Sequence, residues 1–221
     1  MDWTGTSGPG RFLVLEGIEG SGKSTQMTTV EAELQAAGFT VTMTREPGGT
    51  ALGERLRGLL LDPDLPGMCP DAELLLMFAA RAQHLADVVR PALGEGRWVV
   101  SDRFTDASFA YQGAGRGLGM QRVAVLEDWV QGALRPDCVI LLDIDPVTGM
   151  ERAVQRGRRD RMEREALEFF ERARAAYLER ARQDPGRYCV IDADADVDTV
   201  AERVREAVRG LLEGTSDRGE G

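Results

Sequence analysis

The chain has 221 residues and a formal net charge of −10. Hydrophobic residues make up 43% of it, which is enough for the core of one domain. The acidic balance disfavours a nucleic acid polymer as a partner, and no apolar stretch approaches the roughly 20 residues that span a membrane.

Short apolar runs alternate along the chain with longer segments whose apolar residues recur at helical spacing. The runs predict strands at residues 11–16, 40–44, 98–101, 138–143 and 188–191. Such alternation implies an α/β fold, with a five-stranded parallel sheet covered by helices on both faces. We expect one domain over residues 11–213 and disordered tails at residues 1–10 and 214–221.

A glycine-rich sequence, GIEGSGKS, runs from Gly17 to Ser24 between the first predicted strand and a helix predicted over residues 24–34. It matches the P-loop pattern GxxxxGK[ST] in the strand–loop–helix context that the motif requires. Loop N–H groups would hold phosphate oxygens, Lys23 would reach the β- and γ-phosphates, and Ser24 would offer its hydroxyl to Mg²⁺. The predicted ATP-binding residues in this loop are Gly17, Ile18, Glu19, Gly20, Ser21, Gly22, Lys23, Ser24 and Thr25.

Lys23 is the single lysine among 27 basic residues. Arginine serves as the cation everywhere else, so this position needs a compact ammonium on a flexible stem. We therefore expect Lys23 to be catalytic.

A P-loop by itself does not distinguish an enzyme from a nucleotide-sensing binding module. A guanine-specific switch usually reads the base with an N-K-x-D or T-K-x-D motif, and this chain has no asparagine and no second lysine. The remaining alternatives are a kinase for a small acceptor and a P-loop sensing module.

Polar residues at a strand end supply candidates for an acceptor site. Asp102 and Arg103 follow the apolar strand at residues 98–101, and the carboxyl ends of parallel strands line the ligand crevice. Asp102 is predicted to hold Mg²⁺ through water and Arg103 to bridge two phosphates. Asp143 ends another apolar strand and is a rival for the metal.

Phe78 and Arg81 lie three residues apart on a predicted helix and so share a face. A base stacked on Phe78 would bring its phosphate to Arg81, although an ordinary core position is the alternative for Phe78. Ser108, Tyr111 and Gln112 offer hydroxyl and amide groups suited to a base edge and a sugar.

Residues 152–164 contain six arginines interleaved with acidic residues. One interpretation is a solvated helix face with ion pairs, and the other is a cationic lid that bends at Gly157 and closes over phosphates. A neighbouring P-loop favours the lid.

Three cysteines, Cys69, Cys138 and Cys189, lie far apart and form no metal-binding spacing with the single histidine. Reduced thiols predict a cytoplasmic protein. Residues 1–10 are polar and glycine-rich, which is not the pattern of a signal peptide.

The motifs taken together resemble the thymidylate kinase family of bacterial type. The matching stretches, in the family's order, are FLVLEGIEGSGKST from Phe12, TREPGGT from Thr44, FAARAQH from Phe78, DRF from Asp102, AYQGAGRG from Ala110 and DRME from Asp160. The resemblance implies transfer of phosphate from ATP to dTMP, giving dTDP and ADP for dTTP synthesis. It also implies Mg²⁺ as cofactor and a homodimer; another nucleoside monophosphate kinase or a deoxynucleoside kinase is the alternative.

The resemblance also implies roles for single residues. Phe78 would stack on thymine, Arg81 and Arg103 would hold the dTMP phosphate, and Arg161 would reach the ATP phosphates from the lid. Glu19 would contact the 3′-hydroxyl, Ser108 the thymine edge, and Tyr111 would crowd the 2′ position. The expected substrate-binding residues are Glu19, Glu46, Pro47, Phe78, Arg81, Arg103, Ser108, Tyr111 and Gln112; the expected catalytic residues are Lys23, Arg103 and Arg161.

Two positions depart from the family pattern. Phe104 stands where the family often has tyrosine or histidine, so a polar role is lost there. The lid between Gln155 and Asp160 is short, which leaves open whether Arg156, Arg158 or Arg159 contacts phosphate.

Overall fold

A computed structural model describes residues 10–65, 67–155 and 160–216. Most of the two predicted tails, residues 1–9 and 217–221, lies outside the described residues, whereas residues 214–216 belong to the last helix. Lid residues 156–159, which include Gly157 and three of the predicted lid arginines, also lie outside the described residues. No helix within the described ranges is both long enough and apolar enough to cross a membrane.

The apolar runs form a single five-stranded sheet in which every neighbouring pair is parallel. The strands are β1 (Phe12–Glu16), β2 (Val41–Arg45), β3 (Trp98–Asp102), β4 (Cys138–Asp143) and β5 (Tyr188–Asp192). Each predicted strand is confirmed to within one residue at either end. The order β2-β3-β1-β4-β5 puts β1 at the centre, where all five of its residues are buried.

Helices connect the strands and cover the sheet. They are α1 (Lys23–Ala36), α2 (Ala51–Leu61), α3 (Pro70–His84), α4 (Arg90–Gly94), α5 (Thr105–Ser108), α6 (Met120–Gln131), α7 (Pro146–Gln155), α8 (Leu167–Gln183) and α9 (Val197–Ser216). Wider π-helical turns link α3 to α4 at Leu85–Val89 and extend α5 at Phe109–Gly115. The predicted α/β fold with helices around a parallel sheet is therefore confirmed.

The strand order also determines where a ligand can bind. β1 lies beside β3, and the connection from β1 runs towards β2 at one edge of the sheet, whereas the connection from β3 runs the other way, to β4. In open parallel sheets a crevice forms at such a point, outside the carboxyl ends of the strands. The glycine-rich loop after Glu16 meets Asp102, the last residue of β3, and Arg103 there, since Leu15 pairs with Asp102.

Candidate active site

The loop at residues 17–24 folds around the Lys23 ammonium. Lys23 Nζ donates to the carbonyl oxygens of Gly17 at 2.8 Å and Ile18 at 3.0 Å, and to Ser21 Oγ at 3.3 Å. Burial and the nearby Arg103 charge lower the pKa of Lys23 to about 8. The loop thus holds a single cation at its centre.

Two glycines in this loop have structural reasons to be glycine. Gly20 has a φ of 77°, and a Cβ there would lie 2.0 Å from the carbonyl oxygen of Gly149 on α7. Gly22 caps α1 with a φ of 89°, a left-handed conformation that other residues adopt at a cost. The backbone can therefore turn tightly and present its N–H groups at the start of α1.

Two cavities flank the loop. We name them the arginine-lined pocket and the helix-side cavity. The arginine-lined pocket is bordered by Glu19, Lys23, Ser24, Arg45, Glu46, Pro47, Arg57, Met77, Arg81, Asp102, Arg103, Ser108, Tyr111, Gln112, Asp160, Met162 and Glu163, among others. The helix-side cavity is bordered by Gly20, Ser21, Gly22, Ser24, Thr25, Gln26, Arg152, Ala193, Ala195, Asp196, Val197 and Val200. Gly20, Gly22 and Ser24 border both.

Arg103 joins the loop to the arginine-lined pocket. Its guanidinium donates to the Gly17 carbonyl oxygen at 3.1 Å, to Tyr111 Oη at 3.0 Å and to Glu19 Oε1 at 2.8 Å. Tyr111 Oη in turn donates to Glu19 Oε2 at 2.6 Å. Burial raises the pKa of Tyr111 well above its usual value, so the phenol stays protonated. Arg103 also has a φ of 71°, a strained conformation of the kind that clusters at functional sites.

Arg81 lies at another part of the pocket and is only 2% exposed. Its Nε donates to Glu46 Oε2 at 2.7 Å, and its Nη2 donates to the Phe104 carbonyl oxygen and to Ser108 Oγ, each at 3.1 Å. Nη1 is buried and finds no hydrogen-bond partner among the described residues. One donor of Arg81 is thus left for a group outside the protein.

Glu46 neutralises Arg81. Burial on its own raises the pKa of Glu46, but the Arg81 charge and a 2.8 Å contact with His84 Nδ1 outweigh burial and hold that pKa below its usual value. His84 is fully buried, and its other ring nitrogen lies 2.7 Å from Thr44 Oγ1. His84 therefore orients Glu46 and is not available as a metal ligand.

Phe78, which is predicted to stack on thymine, lies in the core beside the pocket, and its stacking role stays a prediction. Phe78 is 2% exposed and packs in an apolar cluster with Leu74, Phe109 and Val123. Its ring lies beneath the Arg81 guanidinium, 4.4 Å from centroid to carbon, and does not border the arginine-lined pocket. The preceding residue, Met77, borders the pocket instead, because consecutive helical residues point about 100° apart.

Arg161, which is predicted to reach the ATP phosphates, contacts α2 and α3 in this structure. Its Nε donates to the carbonyl oxygen of Leu60 at 2.8 Å, and its Nη2 lies 2.6 Å from Glu73 Oε2. Neither cavity is bordered by Arg161, although its neighbours Asp160 and Met162 border the arginine-lined pocket. The donors of Arg161 are directed at α2 and α3, away from the P-loop.

Two basic residues of the pocket were missed by the sequence analysis as site residues. Arg57 borders the pocket from α2, where its Nη1 donates to the Pro47 carbonyl oxygen at 2.9 Å, and Arg45 borders it from the end of β2. Arg45, Arg57 and Arg103 all border the pocket, and burial together with the charges of Arg45 and Arg103 lowers the pKa of Arg57. Leu61 also borders the pocket, and it lies four residues after Arg57, so both residues share one face of α2. This helical spacing is visible in the sequence.

The donor set at the pocket fits a magnesium ion. Asp102 Oδ1 is buried without a hydrogen-bond partner among the described residues, and Ser24 borders the same pocket. Asp143, the rival, is paired with Arg174 through contacts of 2.7 and 2.9 Å. Within the described ranges no three His, Cys, Asp or Glu side chains form a metal cage. Mg²⁺ usually takes one or two protein ligands and completes its shell with waters and phosphates.

On the far side of the loop, the helix-side cavity is closed by the last part of the sheet. Arg152 Nη1 on α7 donates to the Ala193 carbonyl oxygen at 2.9 Å, just after β5. Ser21 and Thr25 border this cavity, whereas Gly17 and Ile18 contribute their carbonyl oxygens to Lys23. Some of the predicted loop residues therefore bind the Lys23 ammonium, and others border the arginine-lined pocket or the helix-side cavity.

The family model for thymidylate kinase matches residues 15–204. A thymidylate kinase of Halorhodospira halophila is 54% identical over 205 residues, covering 92% of this chain and 95% of that protein. A thymidylate kinase of Pseudomonas savastanoi pv. phaseolicola is 53% identical over 208 residues, covering 91% and 99%. These matches extend across both cavities.

Proposed function

The chain belongs to the thymidylate kinase family, and we propose that the two cavities on either side of its P-loop receive ATP and dTMP. The enzyme is a nucleoside monophosphate kinase that phosphorylates dTMP to dTDP at the expense of ATP. The family match over nine-tenths of the chain is the observation that carries this conclusion. The further proposal is a role in dTTP synthesis.

The acceptor is proposed to occupy the arginine-lined pocket with its phosphate towards Arg57 and Arg103. These cations lie near Lys23, where the phosphates must meet. From the sequence, Arg81 is assigned to the dTMP phosphate; we propose instead that Arg81 contacts the base. Glu46 already neutralises Arg81, so the unpartnered Nη1 group of Arg81 suits a neutral carbonyl oxygen of thymine better than a dianionic phosphate.

Contacts around the proposed sugar and base follow from the same pocket. Glu19 is proposed to contact the 3′-hydroxyl, since its carboxylate already accepts from Tyr111 and Arg103 at the pocket wall. Tyr111 is proposed to crowd the 2′ position and so to select deoxyribose. Ser108 and Gln112 are proposed to face the thymine edge, with Met77 beside the ring.

Phosphoryl transfer requires in-line positioning and positive charge around the transferred group. Lys23 and Arg103 supply this charge from the P-loop side and the acceptor side. Ser24 and Asp102 are proposed to hold Mg²⁺, which would neutralise phosphate charge when bound. No general base is required, since the acceptor phosphate has a second pKa of about 6 and is already an anionic nucleophile at neutral pH.

The adenosine part of ATP is proposed to extend into the helix-side cavity, towards Arg152 and the chain after β5. We also propose a homodimer and a cytoplasmic location. The location rests on the family resemblance and on three cysteines that are all unpaired in the described part of the chain.

A coupled assay of ADP release tests the acceptor assignment across dTMP, dUMP, dCMP, dGMP and AMP. We expect dTMP to give the highest kcat/KM. Arg81→Ala should raise the Kd for dTMP by a factor corresponding to about 1.5–3 kcal/mol, the loss of a hydrogen bond from a charged group, with little change for an ATP analogue. A preference for a purine monophosphate, or unchanged dTMP binding by Arg81→Ala, would contradict the pocket.

A further inference from the structure

Arg161 is directed at two helices that build the acceptor side of the site. Its backbone N–H donates to the Leu61 carbonyl oxygen at 3.2 Å, and its Nε donates to that of Leu60 at 2.8 Å. Both carbonyls belong to the last turn of α2, where the helix has no donors of its own left to satisfy them. Arg161 thus caps the helix that carries Arg57.

The Arg161 guanidinium also reaches α3. Nη2 lies 2.6 Å from Glu73 Oε2, an ion pair without the alignment of a hydrogen bond. Glu73 is fully buried, whereas the Arg161 side chain is 14% exposed. α3 is the helix that carries Met77 and Arg81, so one arginine connects both helices of the acceptor pocket.

Glu73 is the centre of a larger network. Its Oε1 accepts from Gln112 Nε2 at 2.8 Å and from Arg116 Nε at 3.1 Å. Arg116 in turn pairs with Glu165 at 2.6 Å. Burial alone raises the pKa of Glu73, but the hydrogen bonds from Arg116 and Gln112 and the arginine charges outweigh burial and keep that pKa below its usual value. The carboxylate is therefore ionised where it meets Arg161.

The segment that Arg161 secures is itself a wall of the site. Asp160, Met162 and Glu163 border the arginine-lined pocket on either side of Arg161 in the sequence. Asp160 Oδ1 accepts the backbone N–H groups of Met162 and Glu163 at 2.8 and 2.9 Å, which fixes the turn. A contact that holds Arg161 therefore holds this wall.

We propose that the Arg161–Glu73 ion pair is a positioning device for the acceptor, which holds the wall formed by Asp160, Met162 and Glu163 against α2 and α3. Both are positioning residues that act on dTMP binding and not on the ATP phosphates. This inference rests on the proposed function of the arginine-lined pocket. Releasing Arg161 towards the P-loop would remove one cation from a buried carboxylate, which is a costly change in a low-dielectric site.

A double-mutant cycle on Arg161→Gln and Glu73→Gln tests the pair. The Kd values for dTMP and for a non-hydrolysable ATP analogue, kcat and the thermal midpoint are measured for all four proteins. Each single variant should weaken dTMP binding about tenfold or more, an effect of the size measured for interacting residue pairs. Binding of the ATP analogue should stay within about twofold of wild type. The double variant should bind dTMP no more weakly than the weaker-binding of the two single variants. If Glu73→Gln does not fold, the Kd values of Arg161→Gln for dTMP and for the ATP analogue test the proposal, since Arg161 is the partly exposed partner.

Asp71 and Arg122 supply a matched control. They pair at 2.6 Å between the same helix α3 and α6, but both side chains are more than 60% exposed. Asp71→Asn and Arg122→Gln make the same chemical changes at the surface, and dTMP binding should stay within about twofold of wild type.

Three results would overturn the inference. Arg161→Gln could weaken ATP-analogue binding or lower kcat with dTMP affinity unchanged, which would make Arg161 a donor-phosphate ligand. The thermal midpoint could fall while both affinities stay at wild-type values, which would make the pair merely structural. The two single effects on dTMP binding could multiply in the double variant, which would mean that the residues act separately. Failure of the proposed function is distinguishable, because the wild-type protein would then not phosphorylate dTMP.

Discussion

At the scale of single residues, the lone lysine of the chain is held by geometry that suits an ammonium. Its three donors meet two loop carbonyl oxygens and Ser21 Oγ within 3.3 Å. A planar guanidinium is larger and directs its donors in a fixed fork, so it cannot reproduce this cradle. The arginine-rich composition makes the choice of lysine at this position informative.

Lys23→Ala should lower kcat by at least about a hundredfold, since it removes a positive charge that stabilises the transition state. Lys23→Arg should also be severely impaired, because the fork does not fit the loop. Steady-state kinetics with ATP and dTMP check both, and the thermal midpoint controls for folding. A folded Lys23→Ala protein with near-normal turnover would rule out a catalytic role.

Glu16 is a second informative residue, fully buried at the end of β1. It accepts from the Phe104 backbone N–H at 2.8 Å and from Tyr177 Oη at 2.7 Å. Burial and the nearby Asp106 charge raise the pKa of Glu16 to about 7. The folded protein therefore keeps a proton here that the unfolded chain loses near its ordinary pKa.

This raised pKa predicts how stability changes with pH. The contribution of Glu16 to stability is fully present below its unfolded pKa and is lost as the pH rises through about 7. Glu16→Gln does not titrate, so it should gain stability relative to wild type between about pH 5 and about pH 8. Urea unfolding at both pH values measures this difference. Glu206→Gln, at an exposed position of α9, controls for the lost charge. A difference in stability between wild type and Glu16→Gln that stays constant with pH would refute the prediction.

At the scale of elements, α7 lies directly on the P-loop. A Cβ at Gly149 of α7 would lie 2.5 Å from the Glu19 carbonyl oxygen, and one at Gly20 would meet the Gly149 carbonyl oxygen. Backbone packs on backbone with no side chain between them. The helix therefore determines the position of the loop that holds phosphate.

Gly149→Ala should destabilise the protein by about 1–3 kcal/mol and weaken binding of an ATP analogue, since α7 or the loop must move. Gly210→Ala in α9 is the matched control, because a Cβ there has no neighbour within 4 Å. It should be neutral or stabilise the helix by up to about 1 kcal/mol. Thermal melts and analogue titrations compare the two, and equal behaviour would show that the α7 contact is unimportant.

At the scale of the whole molecule, three apolar side chains are exposed on α3 and α6, two helices that contact each other. Trp129 is 80% exposed, Val125 lies one turn earlier on α6 at 59%, and Leu75 on the neighbouring α3 is 55% exposed. A large apolar patch on a protein surface commonly marks an interface. These exposed side chains support the proposed homodimer.

Val125→Arg and Trp129→Arg should each shift the protein towards the monomer, because a charge would have to be buried in the proposed interface. Sedimentation velocity over a range of concentrations measures the shift. Val147→Arg makes the same substitution at a 48% exposed valine on α7 and should leave the assembly unchanged. A monomeric wild-type protein would exclude the homodimer.

The sequence by itself determined the sheet and its P-loop. Buried parallel strands are continuous apolar runs, and the phosphate loop needs glycine, lysine and serine at fixed local spacing, so both are visible without tertiary contacts. The same holds for the family, since the motifs stand in a fixed order along the chain. Asp102 and Arg103 were found because the carboxyl end of a parallel strand is a predictable place.

Only the tertiary structure decided which way several side chains point. Met77 and Phe78 are both apolar neighbours on α3, and periodicity could not show which of them borders the pocket. Arg161 has a long side chain whose target depends on where α2 and α3 pass, and Glu73 became its partner through packing across 88 positions of sequence. Local patterns report which residues share a face of one element, whereas the contacts of long and buried charged groups depend on how elements pack together.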